Sequence, residues 1–269
     1  MKRLNFIKTM AILPFGVTLP KWISIDNVET LTEFERCKTD ITYFVENYMK
    51  IQTVENGLIP FKLYPFQKEI LQSLVSNTKH MICSARQMGM DNLLTVYSIH
   101  SMFFNDNFTT INFSVNRHIE QKNKDRFFQN LNELYALNSS IPVLPNQRDL
   151  KFSNGSYIKY TNVTTDKKIK SIKPSLIISN DFAFNNRQED IYQYMRLVPS
   201  AKIIIQSTPN VKQNLFYKLW KEENQFKKLK YDWRDHPERD EEWLSYKKKT
   251  YAFDENLFNS EINGNFKEE

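Results

Sequence analysis

Residues 84–91 read SARQMGMD. They continue the apolar run HMICS and precede NLLTVYSIHSMFF, so a strand, a tight turn at Gly89 and a helix are expected in succession. That is the setting of a phosphate-binding loop, whose backbone amides and helix N-terminus face an anion. Such a loop places Lys directly after its last Gly, then Ser or Thr. Here Met90 and Asp91 occupy those two positions. An ordinary strand-to-helix turn is the plain alternative for this stretch taken alone.

The rest of the chain sets the frame. Its 269 residues suffice for one large domain with small attachments, and 41% apolar and 14% aromatic residues can fill a sizeable core. The formal charge of +6 permits an anionic partner such as nucleic acid without requiring one. Cys37 and Cys83 cannot form a disulfide framework, which fits a reducing compartment. The N-terminal patch MAILPFGV contains Pro and lacks a small-residue cleavage site, against a signal peptide, and it is too short to span a membrane. With only five glycines, Gly89 and Gly155 are expected to mark special backbone geometry. The histidines at 80, 100, 118 and 236 show no metal spacing.

Periodicity organises the chain. Residues 1–35 read as a loosely structured arm, and the domain assignment is an arm over 1–39 and one domain over 40–269. TDITYFVENYMKI reads as a helix, and so does the stretch after Pro65, with Phe66, Ile70, Leu71, Leu74 and Val75 on one stripe. Short apolar strands then alternate with helices: HMICS, TTINFSV, SLIIS, KIIIQS and FKKLKYDW are the strands. DLKFSNGSYIKYTN is a hairpin turning at Asn154-Gly155. This pattern predicts an α/β fold with a mainly parallel sheet flanked by helices. Ligands of such sheets bind beyond the carboxyl ends of the strands, where Ser84, Ser179 and Ser207 fall. Trp220 and Trp243 sit at helical spacing with other apolar residues and are expected in the core.

Four stretches carry chemistry. In SARQMGMD, Arg86 is placed to reach a terminal phosphate. In SLIISNDFAF, Asn180 and Asp181 stand at a strand end where nucleotide hydrolases hold two acids, one for Mg²⁺ and one for water. In IIIQSTPN, the hydroxyls of Ser207 and Thr208 either cap a turn or sense the terminal phosphate. In LYPFQ, Tyr64 and Gln67 either stack on and hydrogen-bond an adenine, or leave Tyr64 and Phe66 as core and Gln67 exposed.

The order and spacing of YPFQ, SARQMG, IISNDFAF and QSTPN resemble the ATPase domain of the large terminase subunit of tailed bacteriophages. NGSYIKYTN, LFYKLW, DWRDHPERDEEW and NLFNSEINGNF extend the resemblance over residues 40–267. The resemblance implies a phosphate-loop ATPase fold that binds ATP and Mg²⁺ and packages double-stranded DNA in the host cytoplasm. Its implied partners are a portal protein, a small terminase subunit and further copies in a ring, with no membrane. It assigns Tyr64, Gln67, Ser84, Ala85, Arg86, Gln87, Met88, Gly89, Met90 and Asp91 to nucleotide binding. It places Ser207 and Thr208 in the coupling motif and Asp181 at the second of the paired acids, a catalytic position, which Arg86 joins by its reach to a terminal phosphate. Asp91 and Asp181 together are the candidate metal ligands, since carboxylates suit Mg²⁺. Lys167, Lys168, Lys170 and Lys173 would contact DNA or a neighbouring subunit, or else form a solvated loop.

The chain departs from that pattern. The family's loop Lys falls on Met90, its Mg²⁺-binding hydroxyl on Asp91, its paired acids on Asn180 and Asp181, and its RG pair on Lys170 and Ser171. A Lys ammonium ~4 Å from a phosphate oxygen contributes up to ~4 kcal/mol at an effective dielectric of ~20. Met90 contributes none, and Asp91 adds repulsion unless a metal bridges it to the phosphate. The expectation is an ATPase domain with impaired hydrolysis and no nuclease activity, since the chain ends at Glu269 before any nuclease segment. Two alternatives stay open: an active translocase in which Arg86 or Lys170 replaces the missing charge, and a non-enzymatic DNA- or portal-binding adaptor.

Overall fold

A computed structural model describes residues 28–53, 55–137, 143–144, 150–162, 169 and 171–267. Most of the N-terminal arm and Lys167, Lys168 and Lys170 therefore lie outside the described residues. The chain folds into two compact units. No described helix is long and apolar enough to cross a membrane.

The first unit comprises Met1–Leu63, Thr95–Phe108 and Asp125–Tyr157. Residues 28–35, expected as loose arm, belong to a helix, α1 (Val28–Thr39). Asp40 separates it from α2 (Ile41–Tyr48) and caps α2 by accepting the Tyr43 N–H at 2.9 Å. Glu33 ties the two together, accepting the hydroxyls of Tyr43 at 2.8 Å and Tyr48 at 2.6 Å. A short antiparallel hairpin follows, β1 (Lys50–Thr53) and β2 (Gly57–Pro60), which periodicity did not reveal. Later β5 (Val143–Leu144) pairs antiparallel with β6 (Leu150–Phe152). The Asn154-Gly155 turn follows as expected, with Gly155 at φ 82°. A Cβ there would lie 2.2 Å from Asn107 Oδ1, so only glycine fits. Asn154 Nδ2 donates to the carbonyls of Met102 and Asn105 at 2.9 and 3.1 Å, satisfying acceptors at a helix end.

The second unit comprises Tyr64–Leu94, Thr109–Lys124 and Ile158–Glu269. Its helix α3 (Pro65–Ser76) starts where Pro is favoured, at the first helical position. Phe66, Ile70, Leu71 and Leu74 are buried as expected, but Val75 is 61% exposed, because the stripe rotates past the core at the helix end. Strand β3 (Lys79–Ser84) leads through the loop into α4 (Met90–Phe104), of which the residues up to Leu94 belong to this unit. Beyond β4 (Thr109–Phe113), α5 (Arg117–Leu137) and β7 (Tyr157–Thr161) come β8 (Leu176–Ser179), α6 (Gln188–Leu197) and β9 (Lys202–Ser207). Then follow α7 (Leu215–Lys221), β10 (Lys227–Tyr231), α8 (Glu241–Thr250) and α9 (Glu255–Glu261).

Five of these strands run parallel in the order β10-β3-β9-β8-β4. The inner four are buried almost throughout, which explains their unbroken apolar sequences. One face packs Met81, Cys83, Ile111, Phe113, Ile177, Ile203 and Ile205 against Phe182, Met195 and Phe216. The fold class expected from sequence is the one observed. At the sheet margin, β10 carries Lys227, Lys228 and Lys230, charges that discourage edge-to-edge pairing. Trp220 is half-buried against the core, whereas Trp243 is not part of it.

The start of β3 carries a buried imidazole. His80 Nε2 lies 3.0 Å from Ser73 Oγ, and Nδ1 has no hydrogen-bond partner. Burial, with Lys202 and Lys227 adding repulsion, lowers its pKa to about 4. A depressed histidine pKa means the unfolded chain binds the proton first, from about pH 6.5 downward. Stability is therefore full above that pH and is lost as pH falls from 6.5 towards 4. His80 is expected to contribute about 1 kcal/mol of loss per pH unit in that window. Urea titrations across pH should show it, with a shallower slope in His80→Gln.

Candidate functional site

Sheet register brings the expected residues to one edge. Ser84 pairs with Tyr231, Ser207 with Cys83, and Ser179 with both Phe113 and Ile205. The three serines thus sit at the carboxyl ends of parallel strands, and all are fully buried. Because β9 lies between β3 and β8, the STPN turn stands between the loop and Asn180-Asp181.

The loop Ala85–Gly89 leaves β3 and enters α4. Gln87 has φ 60° and Gly89 φ 72°, so the backbone alternates handedness. Alternation of that kind gathers successive N–H groups into an anion-binding concavity. Side chains and carbonyls from distant segments hold it. The Ala85 N–H donates to Tyr231 O at 2.9 Å and the Arg86 N–H to Glu261 O at 2.7 Å. Arg239 Nη2 donates to the carbonyls of Arg86 and Gln87 at 3.2 and 2.7 Å, and Nη1 lies 3.3 Å from Met88 Sδ. Burial lowers the Arg239 pKa, and its guanidinium carbon sits 4.6 Å from the Trp243 ring centroid.

Arg86 is exposed, and its guanidinium pairs with Glu261 at 2.8 Å. Glu261 is itself buried and accepts the Tyr251 hydroxyl at 2.7 Å. Met90 is buried, while Asp91 opens α4. Asn180 Nδ2 donates to Asp91 Oδ1 at 3.1 Å. Between these two positions the carboxylate now sits on the helix and the neutral group on the strand end. Asn180 Oδ1 is buried without a hydrogen-bond partner. Asp181 follows in the left-handed region at φ 51°.

The β8 and β9 ends are joined through one residue, Ala183. Ser207 Oγ accepts the Ala183 N–H at 3.0 Å, and the Ala183 carbonyl accepts from Gln188, Asn210 and Asn214 at 3.3–3.4 Å. Thr208 is buried beside Ser207. Gln206 Nε2 donates to Ser84 Oγ at 3.2 Å, linking β9 to the loop strand.

Tyr64 and Gln67 adjoin the loop. Gln67 is buried, with Oε1 accepting the Tyr64 N–H at 3.1 Å and Nε2 donating to Met88 O at 3.2 Å. The Tyr64 ring lies 4.5 Å from His236, and burial together with its bond to Glu238 pushes the phenol up to about 12. Lys173 is exposed and takes no part in the cluster. Sequence reasoning missed Arg239, Glu261 and His236. They lie in DWRDHPERDEEW and NLFNSEINGNF, stretches that the resemblance covered without giving any of the three a role.

No protein-family model matches the chain. Solved structures do resemble it. The large terminase ATPase domain of Thermus phage P74-26 aligns with a TM-score of 0.62 at 14% identity, over 77% of this chain and 95% of that one. The large terminase of bacteriophage HK97 aligns with a TM-score of 0.67 at 14% identity, over 85% of this chain and 55% of that one. A large terminase from a thermophilic bacteriophage, in complex with ADP, aligns with a TM-score of 0.60 at 12% identity, over 76% of this chain and 54% of that one. The chain therefore has the fold of large terminase ATPase domains, and it spans about half the length of the last two of these relatives.

Proposed function

We propose that this chain is the ATPase domain of a phage DNA-packaging motor, able to bind nucleotide and impaired in its hydrolysis. Residues 40–269 form that domain in this reading, and residues 1–39 its arm. The observation that carries it is the loop Ala85–Gly89, with alternating backbone handedness between a buried parallel strand and a helix N-terminus. Amide donors there suit phosphate oxygens, the tightest part of nucleotide recognition on such folds. Tyr64 adjoins the same loop, and Ser207 links its end of the sheet to Ala183. The cradle would take ATP by its phosphates. Asp91, Asp181 and Asn180 Oδ1, which is buried without a hydrogen-bond partner, would hold Mg²⁺, since carboxylate and amide oxygens are the hard donors that ion takes. Bound there, the ion would offset the repulsion between Asp91 and a polyphosphate.

Impairment follows from charge. Met90 brings no cation, and Arg86 is held by Glu261. Asn180 supplies an amide where the fold's hydrolases place an acid. The relative from the thermophilic phage was solved with ADP, and all three relatives are large terminases or their ATPase domains. For this chain, double-stranded DNA, a portal protein, a small terminase subunit and sister copies in a ring are the proposed partners, in the host cytoplasm. The exposed Lys173 is a proposed contact to DNA or a neighbouring subunit, as are Lys167, Lys168 and Lys170.

The test is ATP binding and turnover by the intact chain with Mg²⁺ and linear duplex DNA. Saturable binding with turnover near background is expected. Robust turnover would overturn the impaired site and favour the active translocase in which Arg86 or Lys170 replaces the missing charge. DNA binding without any nucleotide binding would establish the adaptor reading.

A further inference from the structure

The loop has no lysine, so its affinity for an anion depends on how its peptides are aimed. Three consecutive loop carbonyls are held from outside the loop. Arg239 takes those of Arg86 and Gln87, and Gln67 takes that of Met88. In a trans peptide the C=O of one residue and the N–H of the next point in opposite directions. No cis peptide bond is present among the described residues. Fixing the carbonyls of 86, 87 and 88 outward therefore turns the N–H groups of Gln87, Met88 and Gly89 together towards the opposite side, the hollow of the loop.

We propose that Arg239 and Gln67 are positioning residues that pre-aim the three amides of Gln87, Met88 and Gly89 at a phosphate group. The inference rests on the nucleotide-binding reading above and assigns Gln67 a role other than reading the base. Both ends of the Gln67 amide are spent on backbone, on Tyr64 and on Met88. Arg239 is suited to its share because a planar guanidinium presents several donors in a fixed fork, whereas a lysine ammonium is a single point. It is held in place by the Trp243 ring and by partial burial. Gly89 leaves the space that Gln67 needs, since a Cβ there would lie 2.8 Å from its Nε2.

The clamp also explains how a loop that lost its lysine stays formed. Alternating handedness at Gln87 is unfavourable for a non-glycine residue, and two hydrogen bonds to a charged group offset it.

The experiment uses the intact chain and two probes. Pyrophosphate is titrated calorimetrically, and backbone order is read from ¹⁵N relaxation of the Gln87, Met88 and Gly89 amides without ligand. Variants are Arg239→Gln, Arg239→Lys, Gln67→Glu and, as a charge-matched control, Arg234→Gln. Arg234 is exposed, and its guanidinium pairs with Asp232. Arg239→Gln and Gln67→Glu are each expected to weaken pyrophosphate binding about tenfold to a hundredfold and to lower the loop order parameters from about 0.85 to below about 0.6. Arg239→Lys should fall between, and Arg234→Gln should match the natural chain. A general loss of stability would instead lower order across the sheet as well.

Unchanged loop order in Arg239→Gln and Gln67→Glu overturns the clamp, whatever happens to binding. If the natural chain binds no pyrophosphate, the nucleotide reading fails, and with it the phosphate role of the clamp. Order lost only at the loop would then leave the two residues as organisers of a loop without a ligand.

Discussion

Met90→Lys, Asp91→Thr, Asn180→Asp and Asp181→Glu combined in one chain are expected to raise ATP hydrolysis by about 10²–10³-fold over the natural protein. The lysine returns a cation next to the phosphates, worth up to ~4 kcal/mol of attraction at ~4 Å. Removing the Asp91 carboxylate removes a repulsion of similar order. The contact now made by Asn180 Nδ2 and Asp91 Oδ1 at 3.1 Å is preserved with its polarity reversed, the Thr hydroxyl donating to an Asp carboxylate. The longer side chain from Asp181→Glu extends a carboxylate towards attacking water. Steady-state phosphate release with Mg²⁺ is the measurement. A quadruple variant that folds, binds ATP and still does not turn it over would show that the site was lost for reasons other than these four side chains.

Phe182→Ala is expected to destabilise the protein by about 3–5 kcal/mol, the usual range for a large aromatic removed from a closed core. Phe182 is fully buried and packs 6.4 Å from Phe216 in the main cluster. It also follows Asp181 directly, in a turn whose left-handed Asp181 depends on its neighbours being fixed. The same variant should therefore lose the geometry of Asp181 before it loses the fold. Urea unfolding gives the first number, and Mg²⁺-dependent nucleotide binding gives the second. A loss below about 1 kcal/mol would mean that the cavity closes by collapse, and that the core around β8 is softer than its burial implies.

The sheet was legible because parallel strands covered on both sides must be apolar throughout. HMICS, SLIIS and KIIIQS can hardly be anything else when helices separate them. Asn154-Gly155 was legible because a left-handed position in a short hairpin loop favours glycine. Helix α1 was not, because VETLTEFERCKT is mostly polar and is secured by a tertiary contact of Glu33 with two tyrosines. Val75 misled because a helical stripe predicts which face is apolar and not where the core ends.

The loop itself could be read from Gly89 and the flanking pattern, and the missing lysine from one letter. What holds the loop could not be read. Arg239 and Glu261 lie 150 residues or more from it, in segments where nothing local ties a charge to the loop. Gln67 was singled out, yet its partners are backbone groups, and a backbone carbonyl leaves no mark in a sequence.

Calorimetric titration of ADP with Mg²⁺ into the natural chain tests the central claim most directly. The account predicts saturable binding at one site per chain, weaker than a lysine-bearing loop would give and abolished by excess pyrophosphate. No heat of binding up to millimolar ADP, from a chain shown to be folded, would contradict it and leave the likeness to packaging ATPases as one of fold alone.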